Sequence, residues 1–280
     1  MDTVGKLGTF LDSAPAAALV EVTGAKGSTP REKGAWMLVS RSAIFGTIGG
    51  GQLEFMAIDE ARKMLAGSSA ATSLDIPLGP EIGQCCGGRV EVSVGLVDGA
   101  TRQRLLATAR REDAEMPHVL LFGGGHVGHA LAAAMSLLPM RVEVIDTRPD
   151  ALEDMPAGVP TRLTAVPEEA VRAAPAGSAF VVLTHDHALD FLIVAEALGR
   201  QDAAYVGMIG SATKKATFRS WYLKTAGGTD EAFRRLVCPI GGTAVKDKRP
   251  AVIAALAAAE VMAALVQYRQ SPVEAGIGRV

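Results

Sequence analysis

The sequence has few of the residues that mark secreted, membrane-spanning or nucleic-acid-binding proteins. Among 280 residues there are three cysteines, two of them adjacent, which excludes a disulfide framework and favours a reducing compartment. Aromatic residues make up 5% of the chain and the formal net charge is −2, so neither base stacking nor electrostatic attraction to nucleic acid is favoured. No uninterrupted apolar run reaches the roughly 20 residues that span a bilayer, and no basic segment precedes an apolar core near the first residue. We therefore expect a cytoplasmic protein that binds neither nucleic acid nor a membrane.

The chain is rich in apolar residues and glycine, with two successive patterns along its length. The first part alternates short apolar strands with Gly- and Ser-containing turns around one helix, QLEFMAIDEARKML, which is typical of an α+β domain. From His118 onward, apolar strands alternate with helical stretches, which predicts a doubly wound parallel sheet. The predicted strands of this sheet are 118–122, 141–146, 161–164, 179–184 and 204–209. The sequence thus predicts an α/β protein with an N-terminal α+β domain (1–100), a linker helix (101–117) and a Rossmann-like domain that ends in a C-terminal helix (118–280).

The stretch VLLFGGGHVGHALAAAM, residues 119–135, carries the most informative motif. An apolar strand runs into a G-x-G-x-x-G turn and then into an apolar helix, the order found in dinucleotide-binding sites. The helix start offers free N–H groups and a positive dipole end to an anion. The next strand, RVEVID, ends in an acid where a ribose diol should bind. These features predict a phosphate-bearing, nucleotide-like ligand; the candidate contact residues are Gly123, Gly124, Gly125, His126, Gly128 and Asp146.

Two thiols and a polar loop are candidates in the first domain. The segment GQCCGG, residues 83–88, places Cys85 and Cys86 between glycines, where a thiolate could lie close to molybdenum or copper, accept a persulfide or sense redox state. Alternatively, one thiol is a buried small hydrophobe and the other is incidental. The loop KGSTPREKGA, residues 26–35, could meet a phosphate, although such a run is more commonly solvated.

A second glycine turn, TIGGGQLE over residues 47–54, resembles an anion-binding helix start. A strand leads through Gly49, Gly50 and Gly51 to a helix near Gln52, so the N–H groups of the turn could hold an anion. A simple tight turn with a glycine cap is an equally good explanation.

Four of the five histidines follow two of the predicted strands. In a doubly wound sheet these strands are neighbours, so the turn THDH should face the glycine-rich loop that contains His126. His185 and His187, together with Asp186 and Asp190, could bind a pterin or nucleotide, move protons or ligate a metal. We favour binding, because no further ligand completes a metal set; the alternative is that the histidines face water beside a helix cap.

The fifth strand of the second domain leads into a further candidate anion site. Gly210 and Ser211 follow the strand, and Ser211 can cap a helix that carries Lys214 and a second lysine in its first turn. Such a helix start could hold an anionic ligand, although a solvated basic face is at least as common. Cys238, which precedes a proline, is a weaker candidate for an exposed thiol.

Together these segments resemble the XdhC/CoxF family of xanthine dehydrogenase accessory proteins. The matching segments lie between Leu19 and Val266 and are TGAKGSTPREKGAWM, TIGGGQLE, GQCCGGRVEV, FGGGHVG, VIDTRPD, LTHDHALD, YVGMIGSATKK and CPIGG. The resemblance implies an XdhC/CoxI-type domain followed by a Rossmann-like domain.

The resemblance also implies a chaperone for the molybdenum cofactor (molybdopterin) that is not itself an enzyme. Such a protein would hold the cofactor while a cysteine desulfurase adds the terminal sulfido ligand, and would then deliver it to apo xanthine dehydrogenase; a homodimer is implied as well. Cys85 or Cys86 would lie near the molybdenum, with a glycine-rich loop at the phosphate. The fingerprint leaves two alternatives open: an NAD(H)-dependent oxidoreductase with His185 as the acid, and a nucleotide-responsive binding module.

Overall fold

The chain divides between Glu115 and Met116 into two units. A computed structural model describes residues 3–68, 71–79 and 87–271. Cys85 and Cys86, the two candidate thiols of the first domain, therefore lie outside the described residues. Each unit is built on its own sheet.

The N-terminal unit is a five-stranded antiparallel sheet covered by helices. Its elements are α1 (Thr3–Ser13), β1 (Ala18–Lys26), β2 (Trp36–Val39), β3 (Ile44–Gly46), α2 (Gly51–Leu65), β4 (Thr72–Pro77), β5 (Arg89–Leu96) and α3 (Gly99–Ala114). The strand order is β3-β2-β1-β5-β4, and every pairing is antiparallel. The expected α+β arrangement of this part is confirmed.

Alternating apolar residues divide the core of this unit between the two faces of the sheet. Val90, Val92 and Val94 of β5 are buried in a cluster with the apolar side of α2, as the period of two in a half-buried strand requires. The other face is covered by α1 and α3, whose Leu11 and Leu105 belong to a second cluster. Most of the stretch predicted as a linker helix therefore lies in α3, which packs on α1 within this unit.

The C-terminal unit is a six-stranded sheet with helices on both faces. Its elements are β6 (His118–Phe122), α4 (His126–Met135), β7 (Arg141–Asp146), a 3-10 turn (Asp150–Leu152), β8 (Thr161–Leu163), α5 (Glu168–Ala173), β9 (Ala179–Val182), α6 (His187–Gly199), β10 (Tyr205–Met208), α7 (Ala212–Lys224), α8 (Asp230–Arg234), β11 (Leu236–Val237) and α9 (Pro250–Gln270). The order is β11-β10-β9-β6-β7-β8, and all neighbours run parallel.

This strand order is that of a Rossmann fold: β7 and β8 follow on one side of β6, and β9, β10 and β11 follow on the other side. The order of the strands in the sheet therefore reverses between β6 and β9. The five predicted strands are present, each ending within two residues of its expected bounds. These strands could be predicted because strands that are buried on both faces form continuous apolar runs in the sequence. Strand β9, for example, is buried throughout. The doubly wound sheet and the C-terminal helix are thus confirmed, whereas the two-residue β11 was too short to detect.

Helix α9 is long and apolar enough to cross a membrane by length and composition alone. In this unit its small side chains pack against α4 in the core, where Ala257 and Val261 are fully buried beside Leu131. Its one acid, Glu260, accepts a short hydrogen bond from the Tyr205 hydroxyl of β10. Helix α9 thus closes one face of the sheet.

Candidate functional site

The loop between β6 and α4 lies at the reversal point of the C-terminal sheet, and its glycines have different surroundings. Gly123 has φ +123°, and a Cβ atom there would lie 2.4 Å from the Leu183 carbonyl oxygen. A Cβ atom on Gly128 would lie 2.0 Å from the Gly123 carbonyl oxygen. Gly125, by contrast, is exposed and has nothing within 4 Å of a Cβ position. Two glycines therefore permit close packing of the loop and helix, while the third leaves the backbone open to a ligand.

The start of α4 presents N–H groups that the protein does not use. In the part of the chain that the structure describes, the N–H groups of Gly125, His126 and Val127 have no hydrogen-bond partner. These are the orphan donors of a helix N-terminus, and the helix dipole adds positive potential at the same place. The loop can therefore hold a phosphate or pyrophosphate.

Asp146, at the end of β7, is already surrounded by donors. Its carboxylate is almost fully buried, with 4% of the residue exposed, and accepts hydrogen bonds from Gly124 N–H at 2.8 Å and Arg148 N–H at 3.0 Å. The Arg148 guanidinium donates to it as well, from Nε at 3.2 Å and Nη2 at 3.3 Å. Burial opposes ionisation, but these hydrogen bonds outweigh it and lower the pKa of Asp146. The acid that was expected to bind a ribose diol instead ties the glycine loop to β7.

The THDH turn follows β9, which pairs with β6, so the predicted adjacency of the two histidine-containing segments is confirmed. His126, His185 and His187 are exposed, and Asp186 caps α6 by accepting from Ala188 N–H at 2.7 Å. Within residues 3–68, 71–79 and 87–271, no three His, Cys, Asp or Glu side chains group as a metal site requires. The imidazoles of His185 and His187 are therefore open to solvent at the start of α6.

Lys214, which was predicted to meet an anionic ligand, is paired inside the protein. Its side chain is 9% exposed and that of Asp190 is fully buried; the Lys214 ammonium donates to the Asp190 carboxylate and, at 3.0 Å, to the Ile209 carbonyl oxygen. Asp190 also accepts from the Thr184 N–H at 3.0 Å and the Thr184 hydroxyl at 2.7 Å. This pair joins the ends of β9 and β10 and leaves little of the lysine charge for a ligand.

Gly210 and Ser211, which precede Lys214 in the chain, help to place its side chain beside Asp190. A Cβ atom on Gly210 would lie 2.7 Å from Lys214 Cδ, so the missing side chain makes room for the lysine. Ser211 caps α7 as predicted, with its hydroxyl oxygen accepting from Lys214 N–H at 3.3 Å. The sequence carries one sign of this pair: Asp190 lies in the first turn of α6, a helix whose side chains are mostly apolar.

The prediction of an exposed thiol at Cys238 is wrong. Cys238 is buried, with 9% of the residue exposed, in the cluster that includes Leu236 and Phe218. Burial raises the pKa of its thiol, so it stays neutral near pH 7 and is a packing residue.

In the N-terminal unit, two of the other candidate segments pack against the polar loop that follows β1. A Cβ atom on Gly49 would lie 2.7 Å from the Pro30 ring, and one on Gly88 would lie 2.2 Å from the Ser28 carbonyl oxygen. The described ends of the cysteine segment are held together, since Gly87 N–H donates to the Leu78 carbonyl at 2.7 Å. The loop of residues 26–35, the glycine turn and the ends of the cysteine segment therefore converge.

The N–H groups of the glycine turn before α2 already donate to a carboxylate of the protein itself. The Glu54 carboxylate accepts from the Thr47 hydroxyl and from the N–H groups of Ile48 at 3.0 Å and Gly50 at 3.1 Å. Burial opposes ionisation, but these hydrogen bonds outweigh it and lower the pKa of Glu54. The following residues, Gly51 and Gln52, are exposed. The predicted anion-binding turn is thus a helix start capped by its own acid.

Two family models and two similar proteins relate this architecture to known proteins. Residues 119–261 match the XdhC Rossmann domain and residues 11–75 match the XdhC and CoxI family. An uncharacterized protein of Escherichia coli (strain K12), YqeB, is 27% identical over 241 residues, covering 80% of this chain and 39% of that protein. The chain therefore spans less than half the length of this relative.

The structural comparison supports the same fold along the whole chain. A Bacillus halodurans protein, whose crystal structure is described as that of a xanthine dehydrogenase, superposes with a TM-score of 0.78 at 18% identity. The superposition covers 99% of this chain and 98% of that one, which is a likeness of fold. With one family model covering the Rossmann unit and another covering most of the antiparallel unit, this chain belongs to the XdhC and CoxI family.

Proposed function

We propose that this protein acts in the maturation of xanthine dehydrogenase by holding the molybdenum cofactor during sulfuration and passing it to the apoenzyme. It would act in the cytoplasm as a homodimeric accessory protein without turnover of its own, receiving sulfur from a cysteine desulfurase. Family membership supports the maturation role. The cofactor is the cargo of this protein, so the site must protect it and also release it.

The observation that carries the binding step is the convergence of three segments in the N-terminal unit. Molybdopterin has a phosphate, a polar pterin and a metal held by a dithiolene. The loop that contacts Gly49 and Gly88 carries the exposed cations Lys26, Arg31 and Lys33. Cations suit the phosphate, and a soft thiolate from the adjoining cysteine segment suits molybdenum.

Glu54 directs the cofactor phosphate away from the glycine turn in this proposal. Its carboxylate already accepts from the Ile48 and Gly50 N–H groups, and a phosphate beside it would be repelled. We therefore assign the phosphate to the basic loop of residues 26–35.

The test is anaerobic purification after coexpression with the genes for cofactor synthesis, with pterin fluorescence and molybdenum measured per chain. We expect near-stoichiometric retention by the wild type and a large loss in Cys85→Ala or Cys86→Ala, because one thiolate contacts the metal. Cys238→Ala is the matched control, since it removes a buried thiol, and it should retain the cofactor.

Transfer is measured as the activity that each loaded variant restores to apo xanthine dehydrogenase. Normal retention and transfer by both Cys85→Ala and Cys86→Ala would refute the thiol assignment. Absence of pterin and molybdenum from the wild type would refute the cofactor proposal itself.

A second candidate function is favoured by the crevice of the C-terminal unit, whose strand order and open Gly125 suit a nucleotide. The protein would then be an NAD(H)-dependent oxidoreductase with His185 as the acid, or a nucleotide-responsive binding module. Oxidation of the reduced nicotinamide with a carbonyl substrate, which becomes an alcohol, or reduction of the oxidised nicotinamide with a thiol substrate, which becomes a disulfide, would support the enzyme. Nucleotide binding without turnover would support the module.

A further inference from the structure

We infer that the C-terminal unit selects a nucleotide with a 2′-phosphate on its adenosine ribose over one with a free 2′-hydroxyl, and that Arg148 makes this choice. The inference concerns the Rossmann crevice and does not rest on delivery of the molybdenum cofactor. It follows from the free donors of the glycine loop, the saturation of Asp146 and the placement of the Arg148 guanidinium.

The crevice has the properties that a bridging pyrophosphate requires. Gly125 is open, and within the described residues the N–H groups of Gly125, His126 and Val127 lack protein partners. The close approach of Gly123 to the Leu183 carbonyl holds the loop against β9, beside the reversal point where such folds bind nucleotides. The residues present therefore fit a dinucleotide.

Asp146 has no acceptor capacity left for a ribose diol. An ionised carboxylate offers about four lone-pair positions, and Asp146 accepts from Gly124 N–H, Arg148 N–H, Arg148 Nε and Arg148 Nη2. A diol that donated to this carboxylate would have to displace one of these donors. Because the group is buried, a displaced donor would lose a charge-assisted hydrogen bond without replacement by bulk water.

Arg148 favours a phosphate group at the position where Asp146 disfavours a ribose diol. Its side chain is 36% exposed, and Nε and Nη2 are directed at Asp146. No protein group among the described residues accepts from Nη1, which can therefore donate to a phosphate oxygen. Since the contact with Asp146 fixes the guanidinium plane, little side-chain entropy remains to be lost when a phosphate binds.

The glycine loop and the segment after β7 pack on each other. Gly124 donates to Asp146, and a Cβ atom on Gly124 would lie 2.1 Å from the Ala151 carbonyl oxygen. The segment that carries Arg148 therefore packs closely against the loop that would hold the pyrophosphate. A single ligand can reach both groups if its adenosine half carries the additional phosphate.

The experiment is calorimetric titration of the full-length protein with adenosine 2′,5′-bisphosphate and with 5′-AMP, followed by NADP⁺ and NAD⁺. We expect the 2′-phosphorylated member of each pair to bind about tenfold more tightly or better, as one charge-assisted hydrogen bond from Arg148 Nη1 allows. In Arg148→Ala, binding of the 2′-phosphorylated ligand should weaken. Binding of 5′-AMP and NAD⁺ should strengthen, because two acceptor positions on Asp146 become free.

This opposite change in the two affinities separates recognition from misfolding, since a damaged protein would bind both ligands less well. Arg162→Ala is the matched control: this arginine of β8 pairs with Glu143, and its loss should leave the ratio of affinities unchanged. Three outcomes would overturn the inference. The wild type could bind NAD⁺ as tightly as NADP⁺ or more tightly, or Arg148→Ala could leave the ratio of these two affinities unchanged. Binding of neither ligand in a pair would overturn it as well.

Discussion

At the scale of single residues, the buried ion pair between Lys214 and Asp190 is the charged contact with the largest consequence for stability. Asp190 is fully buried and its partner Lys214 nearly so, and the pair joins α6, α7 and the end of β10. Burying two charges is costly, so such a pair adds little net stability compared with apolar residues. Removing one member, however, leaves an uncompensated charge in the core.

We therefore expect Lys214→Met to destabilise the C-terminal unit by about 3–5 kcal/mol, the usual cost of breaking a buried ion pair. The double variant Asp190→Asn/Lys214→Met should lose less than the sum of the two single losses, because no unpaired charge remains. The measurement is urea unfolding, with Lys224→Met on the exposed side of α7 as the control. Additive losses in the double variant would show that the two side chains are not coupled.

At the scale of elements, the start of α2 shows how a side chain of a helix can occupy the N–H groups that would otherwise bind an external anion. Glu54 lies in the first turn of α2 and accepts from the turn that precedes it. This arrangement neutralises donors that would otherwise be orphaned at the helix N-terminus. The start of α4 lacks such an acid in its first turn, so no carboxylate of its own helix neutralises the N–H groups there.

Glu54→Gln should destabilise the N-terminal unit by about 1–3 kcal/mol at neutral pH, because charge-assisted hydrogen bonds are lost. Folding lowers the pKa of Glu54. The stabilisation is therefore fully present above the unfolded-state pKa of about 4.3 and is lost as the pH falls through the lower folded-state value. Unfolding curves measured between neutral and acid pH should thus converge for the wild type and Glu54→Gln. Asp59→Asn, at an exposed pair with Lys63, is the control, and parallel curves for Glu54→Gln and the wild type would contradict the role of this carboxylate.

At the scale of the whole molecule, each of the two units has its own hydrophobic core. The clusters around α2 and around α1 and α3 belong to the N-terminal unit, whereas those on the two faces of the parallel sheet belong to the C-terminal unit. The two tryptophans are divided as well: Trp36 packs on Phe45 and Trp221 on Phe191. Each unit therefore has an intrinsic fluorescent reporter.

We expect the stability effects above to stay within the unit that carries the substitution. In a Trp36→Phe background, fluorescence reports Trp221, and Lys214→Met should lower the midpoint of that transition. In a Trp221→Phe background, fluorescence reports Trp36, and Glu54→Gln should lower that midpoint while Lys214→Met leaves it unchanged. Equal shifts of both reporters in every variant would show that the chain unfolds as one cooperative unit.

The architecture of the C-terminal unit was determined largely by local sequence. Strands such as β6 and β9 are continuous apolar runs because they are buried on both faces, and the glycine-rich turn after β6 has a fixed pattern. The predicted adjacency of the two histidine-containing segments followed from the known order of such sheets. Helix α1 was not predicted, since the fragment TVGKLGTFLDS contains two glycines and owes its stability to packing on α3.

Tertiary structure alone decided what the charged and reactive side chains do. Asp146 meets Gly124 from 22 residues away, and Lys214 meets Asp190 from 24 residues away, distances over which composition and periodicity carry no pairing information. Cys238 is buried because neighbouring elements cover it, although its Gly- and Pro-rich surroundings suggested exposure. The sequence by itself determined the family, the sheet and the position of the glycine loop, because these depend on local apolar patterns and short motifs. The fold decided which acids remain available to a ligand, because that depends on which donors it brings to each carboxylate.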